Sequence, residues 1–345
     1  MKAALIRSVG EIVVETVDDP TPQPGEVIVQ VAACGLCGTD LHILRGEFAP
    51  SLPIVPGHEF AGTVVAVGAG ISDVVTIREG DRVAVDPSLY CHECHYCRSG
   101  HDNLCLRWGA IGVTVAGGAA EFVAVPAANC VRLPEHIATT DATLIEPLAC
   151  AVRGYDVLKS QLGAHVLIYG AGTMGLMMLQ LAHRAGAASV DVVDLNGDRL
   201  GAARTIGVDN AVTDVAELER PYGWELVVDA TGNAAAIQDG LNRVGPGGTF
   251  LQFGVADYAA RAVIEPYRIY NKEITITGSM AVLRSYERAA DLFAAGVLDP
   301  ALYITDRYPL EKYADALAAF SGGGGLKTQV IPGDFPARTS PVAGD

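Results

Sequence analysis

Three things are not seen in this sequence of 345 residues: a long apolar run, a positive charge balance and an opening that reads as a secretory leader. No stretch approaches the ~20 consecutive apolar residues that cross a bilayer, so a membrane-spanning role is excluded. Lys and Arg total 24 against 40 Asp and Glu, a net charge of −16. Binding to a phosphate backbone depends on a basic surface, so a nucleic-acid partner is disfavoured. The opening MKAALIRSVGEIVVE has no continuous apolar core and turns acidic early, unlike a signal peptide. The expected location is the cytoplasm, where thiols stay reduced. There is no internal repeat, and the only low-complexity stretch is the glycine run Gly322 to Gly325.

Cysteine is also scarce, with eight in all. Four of them, Cys91, Cys94, Cys97 and Cys105, share the run CHECHYCRSGHDNLC. Two-residue gaps let one loop wrap a tetrahedral zinc with thiolates, and in a reduced compartment clustered cysteines favour metal over disulfides. Four thiolates leave no open position, so this zinc would be structural.

The length suggests about two domains. Up to about Pro147 the chain reads as β-rich. Its Val-rich runs KAALIR, EIVVETV, EVIVQVAACG, AGTVVAVG, DRVAVD and AEFVAVP are separated by Gly, Pro and Asp. From His165 strands and helices alternate: HVLIYG, TMGLMMLQLAHRAG, SVDVVDL, GDRLGAARTIG, ELVVDATG, GGTFLQFGV and ITITGSM. That order predicts an α/β fold with a doubly wound parallel sheet. Two helical patterns, SYERAADLFAAG and LEKYADALAAF, and a strand KTQVI follow, then a loose tail.

Gly170, Gly172 and Gly175 form G-A-G-T-M-G, with Thr173 and Met174 between them, after one predicted strand and before a helix. Asp194 closes the next strand, nineteen positions past Gly175. This context marks a dinucleotide site: glycines for the turn and the pyrophosphate approach, a helix N-terminus for the phosphates, and an acid for the ribose. An acid at Asp194 repels a 2′-phosphate and favours NAD over NADP, unless it only caps the helix starting near Asn196. Arg199 either touches the ribose or faces solvent.

Upstream, ACGLCGTDLH holds Cys37, Thr39 and His42, and VPGHEFAG holds His58 and Glu59. No local ligand motif predicts their separation, and a His–Glu neighbour pair is equally a structural pair.

Taken in order, G-L-C-G-T-D-x-H, P-G-H-E-x-x-G, the four-cysteine run, I-E-P-L-A-C-A and G-A-G-T-M-G resemble the zinc-containing medium-chain dehydrogenases, most of all their polyol branch. The resemblance reaches to about Pro332. It implies a GroES-like catalytic domain over 1–152 with its zinc lobe at 90–106, a Rossmann domain over 153–284, a return to the catalytic domain over 285–335, and a tail at 336–345. It implies two zinc ions, with Cys37, His58, Glu59 and Glu146 around the catalytic one. Whether Glu59 or Glu146 ligates directly stays open. Cys34 and Cys150 match no ligand position and are expected to be buried packing residues.

The implied reaction moves a hydride from a secondary alcohol of a polyol, sugar alcohol or cyclitol to NAD⁺, giving a ketone. Thr39 and His42 match the proton relay, with Glu146 as an alternative base. Thr231, Gly232, Gly254, Val255, Ser279 and Met280 match the nicotinamide end. Residues 43 to 53 and 108 to 115 are expected to border the pocket. The polyol branch carries Arg directly after a G-S-F-like element; here Arg284 arrives several residues late, which leaves the substrate chain length open. A threonine-type 3-hydroxy amino acid dehydrogenase is the runner-up, and a zinc-lobe interaction protein is the non-enzyme alternative. A homodimer or homotetramer joined through sheet edges near residues 274 to 280 is implied as well.

Overall fold

The computed structural model describes residues 1–47, 51–72 and 74–333. The expected tail, and residues 48–50 of the expected pocket border, lie outside them. No described helix is long and apolar enough to cross a membrane. The chain forms two compact units. Among the described residues, one contains those of 1–89, 108–144 and 304–333; the other contains 90–107 and 145–303.

In the first unit all six Val-rich runs are strands. The strand Glu26–Gly35 is the hub of its main sheet. It pairs antiparallel with Glu59–Val67, Phe122–Pro126 and, at its far end, Lys327–Ile331. Alternate residues Val27, Val29 and Val31 point into a core shared with Phe60, Val83, Val123, Tyr313 and Leu317. Each such side chain contributes roughly 1.5–3 kcal/mol by leaving water. The register sets Gly35 opposite both Glu59 and Gln329. The histidine of the motif G-H-E therefore ends one loop as His58, while Glu59 begins the neighbouring strand. The chain then leaves Gly35 and turns at Cys37 into the helix Gly38–Leu44.

In the second unit the strands lie in the order Asn210–Val212, Ser189–Val193, His165–Tyr169, Trp224–Asp229, Val244–Gln252, Thr275–Gly278, all parallel. In chain order this is 3-2-1-4-5-6, the doubly wound arrangement with its switch point beside the first strand. Val166, Leu167 and Ile168 are all buried, as expected of a parallel strand covered on both faces. The helix Ile145–Leu158 was not expected from periodicity. Its Pro147 sits in the first turn, where the missing N–H would have no intrahelical acceptor anyway. The connecting helix Ala234–Arg243 was also missed; Asn233 caps it by accepting from Ala235 N at 2.9 Å and Ala236 N at 3.3 Å.

The four-cysteine lobe, expected within the 1–152 domain, packs with this second unit. Tyr90 donates to Val282 O at 2.8 Å, Asn103 Nδ2 donates to Met280 O at 3.0 Å, and Arg284 reaches Asp102 at 3.1 Å. The helix Tyr286–Ala294 lies against Ile145–Leu158, and the chain rejoins the first unit's sheet at the strand Ile304–Pro309.

Candidate metal and dinucleotide sites

None of the eight cysteines is in a disulfide. The Sγ atoms of Cys91, Cys94, Cys97 and Cys105 lie within 4.8 Å of one another. Cys94 to Cys97 is 3.6 Å, Cys91 to Cys97 is 3.9 Å and Cys94 to Cys105 is 4.0 Å. A zinc tetrahedron with Zn–S of about 2.3 Å has S···S edges of about 3.8 Å. The four sulfurs fit that ion. Backbone N–H groups of Cys91, Cys94 and Arg107 also point at sulfurs, at 3.3 to 3.4 Å. Burial opposes ionisation of Cys91, yet the Cys94 N–H and the Cys105 thiol bring it down to about 6. Cys97 is pushed up to about 12 by burial and by Cys94. Four thiols this close cannot all ionise without a cation between them.

The second cluster spans two loops. The ligand atoms of Cys37, His58 and Glu59 lie within 4.8 Å of one another. A soft thiolate, an imidazole and a carboxylate suit zinc. Cys37 is the N-cap of its helix, and its N–H donates to Asp40 Oδ2 at 2.8 Å. Burial pushes the Asp40 carboxyl up, with His58 and the Cys37 N–H pulling the other way. Lys327 Nζ donates to both Glu59 oxygens, at 2.8 and 2.7 Å, and to Leu36 O at 3.0 Å. Gly35 makes the room, because a Cβ there would come within 2.3 Å of Glu59 Oε2. Thr39 Oγ1 is 3.6 Å from Cys37 Sγ. The His42 ring meets Glu47 through Nδ1 at 2.5 Å.

The thiol of Cys34 is fully buried, and burial, reinforced by Asp40 and Glu59, holds it well above its ordinary pKa. That is the packing role expected of it. For Cys150 the expectation needs correcting: it is only half-buried, and its thiol donates to Glu146 Oε1 at 3.5 Å. Glu146 is buried in the first turn of its helix, in the second unit.

The glycine-rich turn divides its work among its glycines. Gly170 has φ of 102°, a conformation that glycine adopts without strain. A Cβ on Gly175 would lie 1.8 Å from Gly170 O, so the helix packs flush on the turn. Gly172, the N-cap of the helix Thr173–Arg184, has open space where a Cβ would be. Such a cradle fits a pyrophosphate at a helix N-terminus. Asp194 accepts from Ala171 N at 2.7 Å and Asn196 N at 2.8 Å. The helix cap is Asn196, which accepts from Asp198 N at 2.9 Å, so capping does not explain Asp194. Arg199 lies half-buried on that helix.

At the ends of the fourth and fifth strands, buried Asp229 joins two of the expected nicotinamide loops. It accepts from Thr231 N and Oγ1 at 3.1 and 2.5 Å, from Gly232 N at 2.9 Å and from Gln252 Nε2 at 2.8 Å. Gln252 in turn donates to Gly254 O at 2.7 Å. The loops touch closely enough that a Cβ on Gly232 would sit 2.1 Å from Val255 O. Ser279 and Met280 follow the sixth strand. Asp40, Asp229, Gln252 and Lys327 all escaped sequence reasoning. The available signal was a charge in an otherwise apolar strand, as in ELVVDATG and KTQVI.

Two ligand sets suited to zinc and a dinucleotide turn on a doubly wound sheet define a zinc- and nicotinamide-dependent dehydrogenase. Residues 23–135 match the alcohol dehydrogenase GroES-like domain and 173–295 the zinc-binding dehydrogenase domain. D-arabinitol dehydrogenase 1 of Uromyces fabae is 36% identical over 91% of this chain and 92% of its own length. D-altritol 5-dehydrogenase of Agrobacterium fabrum is 36% identical over 84% and 87%. L-threonine 3-dehydrogenase of Streptomyces avermitilis is 35% identical over 93% and 97%. Among solved structures, a zinc-binding dehydrogenase from Sinorhizobium meliloti bound to NADP superposes with a TM-score of 0.92. It is 35% identical, and the match covers 96% of this chain and 99% of that one. The rspB alcohol dehydrogenase of E. coli, complexed with NADH, gives 0.88 at 30% identity, with 96% and 99% covered. The chain belongs to the zinc-containing medium-chain dehydrogenases.

Proposed function

We infer that the protein oxidises a secondary alcohol of a polyol, sugar alcohol or cyclitol to a ketone with NAD⁺. The observation that carries this reading is the convergence of Cys37, His58 and Glu59 within 4.8 Å in a chain that also bears the open Gly172 cradle. The polyol activities named for relatives such as the D-arabinitol and D-altritol enzymes support the substrate class. When bound, zinc supplies Lewis acidity toward the alcohol oxygen, and the nicotinamide supplies the hydride acceptor.

The chain's own groups do the rest. Cys37, His58 and Glu59 hold the metal; Glu146 enters on the family resemblance alone. Thr39 takes the alcohol proton and His42 passes it on, its ring oriented by Glu47. Gly170, Gly172, Gly175, Thr173 and Met174 receive the pyrophosphate, while Asp194 and Arg199 meet the adenosine ribose. The carboxylate of Asp194 favours NAD over NADP. Thr231, Gly232, Gly254, Val255, Ser279 and Met280 line the nicotinamide end. Cys91, Cys94, Cys97 and Cys105 hold the structural zinc. Among the described residues the sixth strand pairs on one side only, and Ile276 on it is exposed. That free edge near residues 274 to 280 joins copies into a dimer or tetramer, and a cytoplasmic location belongs to the same reading.

The test is a substrate panel of pentitols, hexitols, cyclitols, short diols and L-threonine with NAD⁺, scored by NADH formation. Turnover of polyols is expected. NADH formation with threonine alone would replace the polyol reading by the 3-hydroxy amino acid one.

A further inference from the structure

A cavity of about 440 Å³ opens in the second unit at the carboxyl ends of the fifth and sixth strands. Gln252 to Val255 and Gly278 to Met280 form one side. The four-cysteine lobe contributes His101, Asn103 and Leu104, and the helix Ile145–Leu158 contributes Arg153. Three side chains here have a buried polar atom without a hydrogen-bond partner among the described residues: Arg153 Nε, Asn103 Oδ1 and Ser279 Oγ. Asn103 is only 4% exposed. A buried donor or acceptor left unmet is destabilising. Three around one cavity therefore point to a ligand that offers both an acceptor and donors.

Arg153 stands out further by its charge. In this acidic chain Arg132, Arg243, Arg288 and Arg307 each reach an aspartate within 3.1 Å. Among the described residues, no carboxylate lines the cavity around Arg153. Arg284, which arrives several residues later than the polyol branch's arginine, is turned onto Asp102 of the lobe. Glu146, Cys150 and Arg153 are spaced i, i+4 and i+7 and share one face of their helix.

We propose that Arg153 is a cofactor-selecting residue: its guanidinium binds an oxygen of the nicotinamide half and favours NADH over NAD⁺. This rests on the dinucleotide reading above, which places Gly254, Val255, Ser279 and Met280 at the nicotinamide end. The carboxamide offers an acceptor oxygen to Arg153 and a donor NH₂ to Asn103 Oδ1. Hydride addition takes the ring from cationic to neutral. A fixed guanidinium at that end repels the oxidised ring and leaves the reduced one unpenalised.

The experiment measures dissociation constants of NADH, NAD⁺ and ADP-ribose for the wild type, Arg153→Met and Arg153→Lys, by fluorescence titration and competition. Arg153→Met should lower the ratio of the NAD⁺ to the NADH constant roughly tenfold. Arg153→Lys should keep most of the ratio. ADP-ribose, which lacks the nicotinamide, should bind all three proteins alike. An unchanged ratio in Arg153→Met overturns the proposal, as does an equal loss of ADP-ribose binding, which would mark a merely structural role. A wild type that binds neither NADH nor ADP-ribose would bring down the dinucleotide reading itself, and this assignment with it.

Discussion

Lys327 Nζ holds both carboxylate oxygens of Glu59, at 2.8 and 2.7 Å, across 268 residues of sequence. Both side chains are almost wholly buried, at 5% and 1% exposure. Glu59 also stands within 4.8 Å of Cys37 and His58. One carboxylate thus faces a metal-ligand set while a buried ammonium neutralises it from another side. Lys327 is a positioning residue, holding the Glu59 carboxyl group in place beside the ligand set.

Removing one member of a buried ion pair strands the other, which costs about 3–5 kcal/mol. Lys327→Met should lose stability of that order in urea unfolding and alter the metal site beyond it. In the cobalt-substituted protein the visible spectrum of the Cys37 site should shift, while Lys327→Arg largely restores it. A Lys327→Met protein of unchanged stability and spectrum would show that the pair is inert.

Metal analysis should find two zinc ions per chain. Cys37→Ser should leave one, with turnover lost and the fold kept. Cys94→Ser should instead damage folding or assembly, because a structural site contributes to folding directly. Full turnover in Cys37→Ser would refute the catalytic assignment.

The glycines of the turn should separate stability from binding. Gly175→Ala drives a Cβ against Gly170 O and should cost about 1–3 kcal/mol or more in stability. Gly172→Val meets open space and should fold normally, yet bind NADH roughly tenfold more weakly, because its side chain occupies the phosphate cradle. Thermal unfolding and NADH titration of the two variants read these effects apart.

Asp194→Ala should raise KM for NAD⁺ and narrow the preference over NADP⁺, measured as the ratio of kcat/KM values. It also releases the N–H groups of Ala171 and Asn196, so some loss with either cofactor is expected.

Much of this was legible in the chain. The four cysteines fall within one loop, and the three glycines within one turn. Most longer strands of both units announced themselves by apolar runs between Gly and Pro, whereas Asn210–Val212 and Ile304–Pro309 did not. The helix Ile145–Leu158 did not, since Pro147 near its start reads as a breaker when the turn it sits in is unknown. Cys37 and His58 were open on spacing alone and needed the order of motifs to become a ligand set.

What the sequence determined by itself are features whose partners lie a few residues apart, where chain geometry alone brings the groups together. The zinc lobe and the phosphate turn are of this kind. Only the tertiary structure decided the pairs that sheet register and loop packing create. Gly35 opposite Glu59 and Gln329 brings Lys327 to the carboxylate. Asp229 binds the loops after two strands, and Arg153 shares a cavity with Asn103 and Ser279. No local pattern encodes such meetings. They follow from burial of the strands' apolar faces, which leaves each stray charge or amide to find its partner across the fold.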